Sequence, residues 1–271
     1  VLGSPIAHSL SPVLHRAAYG QLGLEWTYDA LEVDEAGLAG FVAGCGPQWV
    51  GLSLTMPLKR AVLPLLDRRS GLVDLVGAAN TVLFGPDGLV GHNTDVLGIV
   101  EALRGAGAEP GPALVLGGGA TAASALAALQ TLGVTEVRVL ARRPQLASDE
   151  MAGLVERLGL AVAFDMWPGP GDRLPDRAEA AIVVCTAPAA AGIGLAGAVP
   201  HDPGALLDVS YEPWPPALVR AWRAAGGAAV AGDEMLLHQA VGQVELMSGR
   251  RPDIGVMRAA LAAEQARRGV R

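Results

Sequence analysis

Only two cysteines occur in the 271-residue chain, Cys45 and Cys185, and they lie far apart in sequence. That scarcity excludes a disulfide framework and a thiolate metal cage. It points to a reduced, intracellular protein, which we expect to be cytoplasmic. An excess of positive charge is also lacking. Lys and Arg number 20 against 27 Asp and Glu, a formal net charge of −7. This argues against nonspecific nucleic-acid binding, and any anionic ligand has to be held by local groups. No apolar run reaches the ~18 residues that suggest a membrane-spanning helix, and nothing at the start of the chain reads as a secretory leader. No histidine pair has metal-ligand spacing with cysteine or carboxylates, so no metal is expected, and no repeat of solenoid period is visible. Charged residues make up only 17% and hydrophobic ones 51%, too apolar for a disordered chain and enough for a sizeable core. The length suits one large domain or two ordinary ones.

What is abundant is glycine next to short apolar runs. Ala113 to Leu129 reads ALVLGGGATAASALAAL. Ala113 to Leu116 suits a strand buried on both faces, and the alanine-rich stretch after the glycines has strong helix propensity. Gly117-x-Gly119-x-x-Ala122 fits the G-x-G-x-x-G/A form of a dinucleotide-binding βαβ unit. Gly117 allows the tight turn, Gly119 lets backbone approach a pyrophosphate, and Ala122 is small enough for close helix–strand packing. The N–H groups at the helix start then face the phosphates.

Before this unit, Ser11-Pro12 reads as the N-cap and first residue of a helix. Strands are expected at Trp26 to Val33 and Trp49 to Leu54. Gly85-Pro86-Asp87-Gly88 signals a hairpin between Ala79 to Phe84 and Leu89 to His92. Asp95 reads as the N-cap of a helix from Val96 to Leu103. After the glycine-rich linker 105–112, strands near 113–116, 136–141, 161–164, 180–185, 205–209 and 228–230 alternate with helices near 120–132, 148–158 and 216–225. That alternation implies an α/β fold with a doubly wound parallel sheet. Helices return at Glu234 to Met247 and Asp253 to Arg267.

Several short stretches are more polar than their apolar settings require. They are His8 to Pro12, Ser53 to Lys59, Gly77 to Thr81, Gly91 to Asp95 and Glu234 to Gln239. With the glycine turn, the strand end Asp208 to Pro213 and the tail Gly232 to Gly249, they resemble the shikimate dehydrogenase family, in the right order through almost the whole chain. The resemblance implies reduction of 3-dehydroshikimate to shikimate with NADPH, a step toward chorismate and the aromatic amino acids. It also implies two domains. A substrate domain would comprise residues 1–96 and 235–271, with an NADP-binding Rossmann domain at 97–234, in a monomer or homodimer that takes a small-molecule substrate and engages neither nucleic acid nor membrane.

Lys59 stands out on physical grounds too. Pro57 opens a helix, which puts Lys59 in its first turn, where the dipole disfavours a cation by roughly 0.3–1 kcal/mol. Such local conflicts cluster at functional sites; the plain alternative is a solvated lysine. The resemblance makes Lys59 the catalytic general acid/base, paired with Asp95. It assigns Ser9 and Ser11 to the substrate carboxylate, with Tyr211 nearby, and Thr55, Asn80 and Gln239 to substrate hydroxyls. Cofactor contacts fall on Gly117, Gly118, Gly119, Ala120, Thr121, Ala141, Arg142, Arg143, Thr186 and Gly232. His8 and His92 match no catalytic base, and His15, His201 and His238 read as surface or packing residues.

Three positions depart from the family pattern. Ser53 replaces the usual asparagine before the central threonine, Ala120 stands where a glycine is common, and Ala141-Arg142-Arg143 replaces Asn-Arg-Thr. The second Rossmann strand therefore ends in cations, where an NAD-binding unit carries Asp or Glu for the ribose 2′-OH. A carboxylate would repel a 2′-phosphate, whereas a guanidinium binds it. Competing readings are an NAD-preferring quinate/shikimate dehydrogenase and a catalytically silent NADP-binding regulatory protein. A methyltransferase using the glycine turn for S-adenosylmethionine is disfavoured by the same cations.

Overall fold

The computed structural model describes residues 1–86 and 88–269. In chain order the elements are β1 (Leu2–Gly3), α1 (Ser11–Leu22), β2 (Leu31–Glu32), α2 (Glu35–Ala43), β3 (Gly51–Ser53) and α3 (Leu58–Ala61), the last followed by a 3₁₀ turn at Leu63–Leu65. Next come β4 (Arg68–Arg69), α4 (Gly71–Val76), β5 (Thr81–Gly85), β6 (Gly88–His92) and α5 (Asp95–Gly105). Then follow β7 (Ala113–Leu116), α6 (Ala120–Thr131), β8 (Glu136–Ala141), α7 (Pro144–Leu158), β9 (Ala161–Met166), β10 (Ile182–Cys185) and α8 (Ala189–Leu195). The chain ends with β11 (Ala205–Asp208), α9 (Ala217–Ala224), β12 (Ala229–Ala231), α10 (Gly232–Ser248) and α11 (Ile254–Gly269). It divides into two compact units, Val1–Asp95 with Leu236–Arg271, and Val96–Met235.

The first unit carries a four-stranded sheet in the order β3-β5-β6-β4 and a short parallel pair, β1-β2. β5 and β6 are antiparallel, with Gly85 opposite Gly88; Asp87 of the expected turn lies outside the described residues. Leu2, Leu38, Leu52, Leu54, Leu58 and Val82 make the core of this sheet. The strand expected over Trp26 to Val33 is limited to its last residues, because only Leu31 and Glu32 find partners on β1. Upstream, Tyr28 turns inward and stacks on His15 with ring centroids 3.9 Å apart.

In the second unit the sheet order is β12-β11-β10-β7-β8-β9, and every pairing is parallel. The chain winds outward from β7 through β8 to β9, then restarts beside β7 with β10. This doubly wound order places a topological switch at the carboxyl ends of β7 and β10, where such sheets bind ligands. The strands are Ala-, Val- and Leu-rich because helices cover both faces. Pro144 sits in the first turn of α7, where its missing N–H costs nothing, so that helix begins four residues before the expected 148. Short α8 has no counterpart among the expected elements, since its glycines mask any helical period.

Trp222 anchors α9 against this sheet. It is fully buried, and its Nε1–H donates to the Gly204 carbonyl at 2.8 Å. Trp222→Ala should cost about 3–5 kcal/mol, as large aromatic deletions do. A lowered guanidinium midpoint with the fold retained is the expected result, and an unchanged midpoint would contradict this account.

His15 is a core residue with both ring nitrogens hydrogen-bonded, rather than a surface one. Burial pushes it down from 6.5 to about 3, against the opposing pull of its bond to Gln243. Below pH 6.5 the unfolded chain takes up a proton that the native protein refuses until about pH 3. The His15 contribution is therefore complete above that upper value and is lost as pH falls toward the lower one. In His15→Gln the decline of urea midpoint across this window should be shallower than in wild type. Equal slopes would rule His15 out as its source.

Candidate active site

The site of the first unit is built where α3, the start of α5 and α10 meet the sheet. Lys59 comes from α3, a helix of four residues. So short a helix sums little dipole, and the conflict expected for a cation in its first turn is correspondingly small. The charge of Lys59 is met by a carboxylate instead: its Nζ lies 2.6 Å from Asp95 Oδ2, with the two side chains only 14% and 5% exposed. Ala79 N–H donates to the Lys59 carbonyl at 2.8 Å, which ties α3 to the segment leading into β5.

Asp95 is the first residue of α5, not the residue before it, and its own N–H donates to Asn93 Oδ1 at 3.0 Å. Its second carboxylate oxygen, Oδ1, accepts from Asn80 Nδ2 at 2.9 Å. The two protons of that NH₂ are shared with Thr94 Oγ1, 2.9 Å away, and Gln239 Oε1, 3.2 Å away. Asn80 Oδ1 accepts from Thr94 N–H and from the Thr81 hydroxyl, both at 2.9 Å. Gln239 is held by its Nε2, which donates to the Leu236 carbonyl at 3.0 Å. The structure thus brings Lys59, Asn80, Asp95 and Gln239 together, the last three buried and the lysine side chain nearly so. A buried ion pair persists only when its remaining lone pairs are satisfied, and Asn80 supplies that for Asp95.

Ser11 does not cap α1. It is the first helical residue and is buried, and its N–H donates to Ser9 Oγ at 3.3 Å, so the hydroxyl at this turn comes from Ser9. Ser9 itself is half-buried. Ser53 Oγ turns inward and donates to Gln243 Oε1 at 2.9 Å. The Tyr28 hydroxyl is buried with no well-formed hydrogen bond, although the Ser53 and Ser11 hydroxyls lie near enough to oppose the upward shift that burial gives it. Thr55 is half-buried just beyond β3, and its N–H donates to the Leu2 carbonyl at 2.9 Å. Gly3 permits this approach, since a Cβ there would lie 2.4 Å from the Thr55 methyl.

The remaining candidates belong to the second unit. Gly117 closes β7 at φ +127, and a Cβ on it would lie 2.4 Å from Thr186 Oγ1. Thr186 itself donates to the Leu116 carbonyl at 3.1 Å, so the ends of β7 and β10 are locked at the switch point. Gly118 packs toward Ala141 and Ala147. Gly119 differs: it is the N-cap of α6, carries no side-chain cap, and nothing lies within 4 Å of where its Cβ would stand. Half-buried Ala120 and Thr121 form the first turn of α6, whose N–H groups are suited to a phosphate. Ala141 is buried, whereas Arg142 and Arg143 are exposed and make no ion pair or side-chain hydrogen bond among the described residues. Gly232 is fixed by packing, since a Cβ there would meet the Val209 carbonyl at 1.9 Å. Half-buried Tyr211 follows β11, after a turn in which Asp208 Oδ1 accepts from the N–H and hydroxyl of Ser210 at 3.1 and 2.6 Å.

Sequence reasoning passed over Thr81, Thr94 and Gln243. The threonines lie inside stretches singled out for polarity. Gln243 is four residues after Gln239 on the same face of α10, a helical spacing that could have revealed it.

The family model for the shikimate dehydrogenase substrate-binding domain matches residues 1–82, and that for the shikimate 5′-dehydrogenase C-terminal domain matches 232–262. A relative named shikimate dehydrogenase (NADP(+)) from Rubrobacter xylanophilus is 39% identical, over 97% of this chain and 95% of its own. The crystal structure of Mycobacterium tuberculosis shikimate dehydrogenase superposes with a TM-score of 0.85 at 44% identity, covering 97% of each chain. That of Thermus thermophilus shikimate 5-dehydrogenase, in complex with NADP(H) and shikimate, gives 0.79 at 34% identity over 97% of each chain. Similarity at this level, over nearly the full length and in both halves of the fold, means that the chain belongs to the shikimate dehydrogenase family.

Proposed function

We propose that the chain interconverts 3-dehydroshikimate and shikimate with NADP as cofactor, in the route to chorismate and aromatic amino acids. The observation that carries this reading is the Lys59–Asp95 pair at 2.6 Å, with Asn80 and Gln239 gathered at the same carboxylate. When bound, NADPH supplies the hydride. As negative charge grows on the carbonyl oxygen, the Lys59 ammonium stabilises it and donates the proton; in the reverse direction Lys59 receives the proton. Asp95 orients Lys59 and keeps its charge compensated. Asn80, Gln239 and Thr55 hold ring hydroxyls, Ser9 and Ser11 hold the carboxylate, and Tyr211 lies near that group. We assign the unit containing Lys59 to the substrate and the unit containing the glycine turn to the cofactor.

The cofactor residues fit a dinucleotide phosphate. The space beside Gly119 and the uncapped start of α6 suit the pyrophosphate, and Arg142, exposed and without an ion-pair partner among the described residues, suits a 2′-phosphate. Ala120, Thr121, Ala141, Arg143, Thr186 and Gly232 complete the set. Both cysteines are free thiols, which supports a reducing, cytoplasmic setting.

The deciding assay follows reduced nucleotide during oxidation of shikimate and of quinate, each with NADP and with NAD. Fastest turnover of shikimate with NADP is expected. A preference for NAD would move the reading to the quinate-type enzyme, and no turnover with any pair would make the protein a silent NADP binder. Lys59→Met keeps the length but has no proton to give, so kcat should fall at least ~100-fold, the scale of acid–base groups, with a much smaller change in shikimate KM. Near-normal kcat would sink the mechanism. Arg142→Asp should lower kcat/KM for NADP by ~10–100-fold, about 1.4–2.7 kcal/mol, and leave NAD turnover similar or better. Equal losses with both nucleotides would mean that Arg142 serves the fold.

A further inference from the structure

The buried polar groups beneath the Lys59–Asp95 pair form a chain of hydrogen bonds that all point one way. Its direction follows from groups with no choice of role. The Asn80 backbone oxygen only accepts, so the Gln243 atom 3.0 Å from it is Nε2. The amide oxygen of Gln243 therefore faces Ser53 Oγ at 2.9 Å and His15 Nε2 at 3.2 Å, and both donate to it. His15, kept neutral by burial, then carries its proton on Nε2 and accepts at Nδ1 from the Tyr19 hydroxyl, 3.2 Å away.

At the other end the Thr94 N–H only donates, so the Asn80 atom 2.9 Å from it is Oδ1. The Thr81 hydroxyl sits 2.9 Å from both Gln243 Nε2 and Asn80 Oδ1. It accepts from the first and donates its one proton to the second. Asn80 Nδ2 is left to donate to Asp95 Oδ1, while Asp95 Oδ2 takes the Lys59 ammonium. The two ends of a carboxamide are nearly the same shape, so packing does not choose between them; hydrogen-bond direction does. A flipped Asn80 would set oxygen against the Asp95 carboxylate.

We propose that Thr81 and Gln243 are positioning residues for proton transfer. They fix the Asn80 amide with its NH₂ toward Asp95, and so fix the carboxylate that aims Lys59. Gln243 acts twice, on the Asn80 backbone directly and on its side chain through Thr81. Ser53 and His15 saturate the Gln243 oxygen and hold that amide in turn. Ser53 is the position where the family usually has asparagine; here its hydroxyl supports α10 instead of reaching outward. The proposal rests on Lys59 being the proton-transfer group.

Thr81→Val keeps the shape and removes the hydroxyl, whereas Thr81→Ser keeps the hydroxyl. In shikimate oxidation, Thr81→Val should lose kcat by roughly tenfold or more, the scale of a displaced catalytic group, with NADP KM unchanged and the solvent deuterium isotope effect on kcat increased. Thr81→Ser should stay within about threefold of wild type, and Gln243→Met should reproduce the Thr81→Val phenotype. Because both act through Asn80, the double variant should fall short of the product of the single losses. Folded Thr81→Val with wild-type kcat and isotope effect, or losses that multiply in the double variant, would overturn the proposal. Lys59→Met separates the two levels: if it abolishes turnover while Thr81→Val does not, only the positioning role fails, and if it leaves turnover intact, the underlying mechanism fails.

Discussion

A lysine ammonium and an aspartate carboxylate held 2.6 Å apart and nearly out of water are the constraint around which the first unit is arranged. Removing two charges from water costs several kcal/mol per ion, and their attraction offsets this only with good geometry and satisfied lone pairs. Each half of that requirement falls on a different part of the chain. Lys59 is anchored through its backbone carbonyl to the segment before β5, and Asp95 is set by Asn93 at the first residue of α5. Asn80 completes the carboxylate from between them. Asn80 is itself bonded to Thr94, Thr81 and Gln239, so the pair depends on segments separated by well over a hundred residues in sequence. This explains why the tail of the chain returns to the first unit: α10 carries Gln239 and Gln243 into a polar layer that the N-terminal residues alone do not close.

The second unit uses glycine for three different purposes within one turn. At Gly117 both a positive φ and the nearness of Thr186 exclude a side chain. At Gly118 the limit is packing against Ala141 and Ala147. Gly119 alone faces open space at the start of an uncapped helix, so its lack of a side chain serves something other than the protein's own packing. Gly117 and Gly118 are therefore explained by the fold, and Gly119 by the ligand the turn receives under the proposed function.

How far the sequence could be read depended on whether the information was local. The βαβ alternation, the hairpin and the glycine turn are periodic or contiguous, and the parallel sheet follows from them. The ends of elements were less legible. Pro144 extends α7 beyond where an apolar period begins, and Ser11, which looks like a cap, is the first residue inside its helix, with Leu10 at the cap position and no side chain capping it. Least legible was the buried polar layer. His15, Thr81 and Gln243 each look like ordinary core or surface positions, and their meaning lies in contacts across as many as 228 residues of sequence. Hydrogen-bond direction has no periodic signature in a sequence, whereas polar stretches and glycine spacings do.

Under the proposed function, the acidic balance of the chain sharpens the contrast between two kinds of cation, Lys59 and Arg142. Several arginines are paired along the surface: Arg104 with Glu101, Arg138 with Asp165, Arg267 and Arg268 with Glu264. Arg138 and Arg142 lie only four residues apart, yet the first is neutralised across the strand pair and the second has no such partner among the described residues. A cation that must sit at one atom, such as Lys59, gains from a fixed counter-ion that orients it. A cation that must capture a phosphate gains from having none, because any carboxylate in place would have to be displaced first and would repel the ligand. In a protein with net charge −7 the Arg142 guanidinium at the end of β8 has many carboxylates that could have neutralised it. That none of the described ones does so is consistent with a 2′-phosphate as the counter-ion under the proposed function. The two sites then differ in how their charge is arranged: closed by a carboxylate at Lys59, open at Arg142.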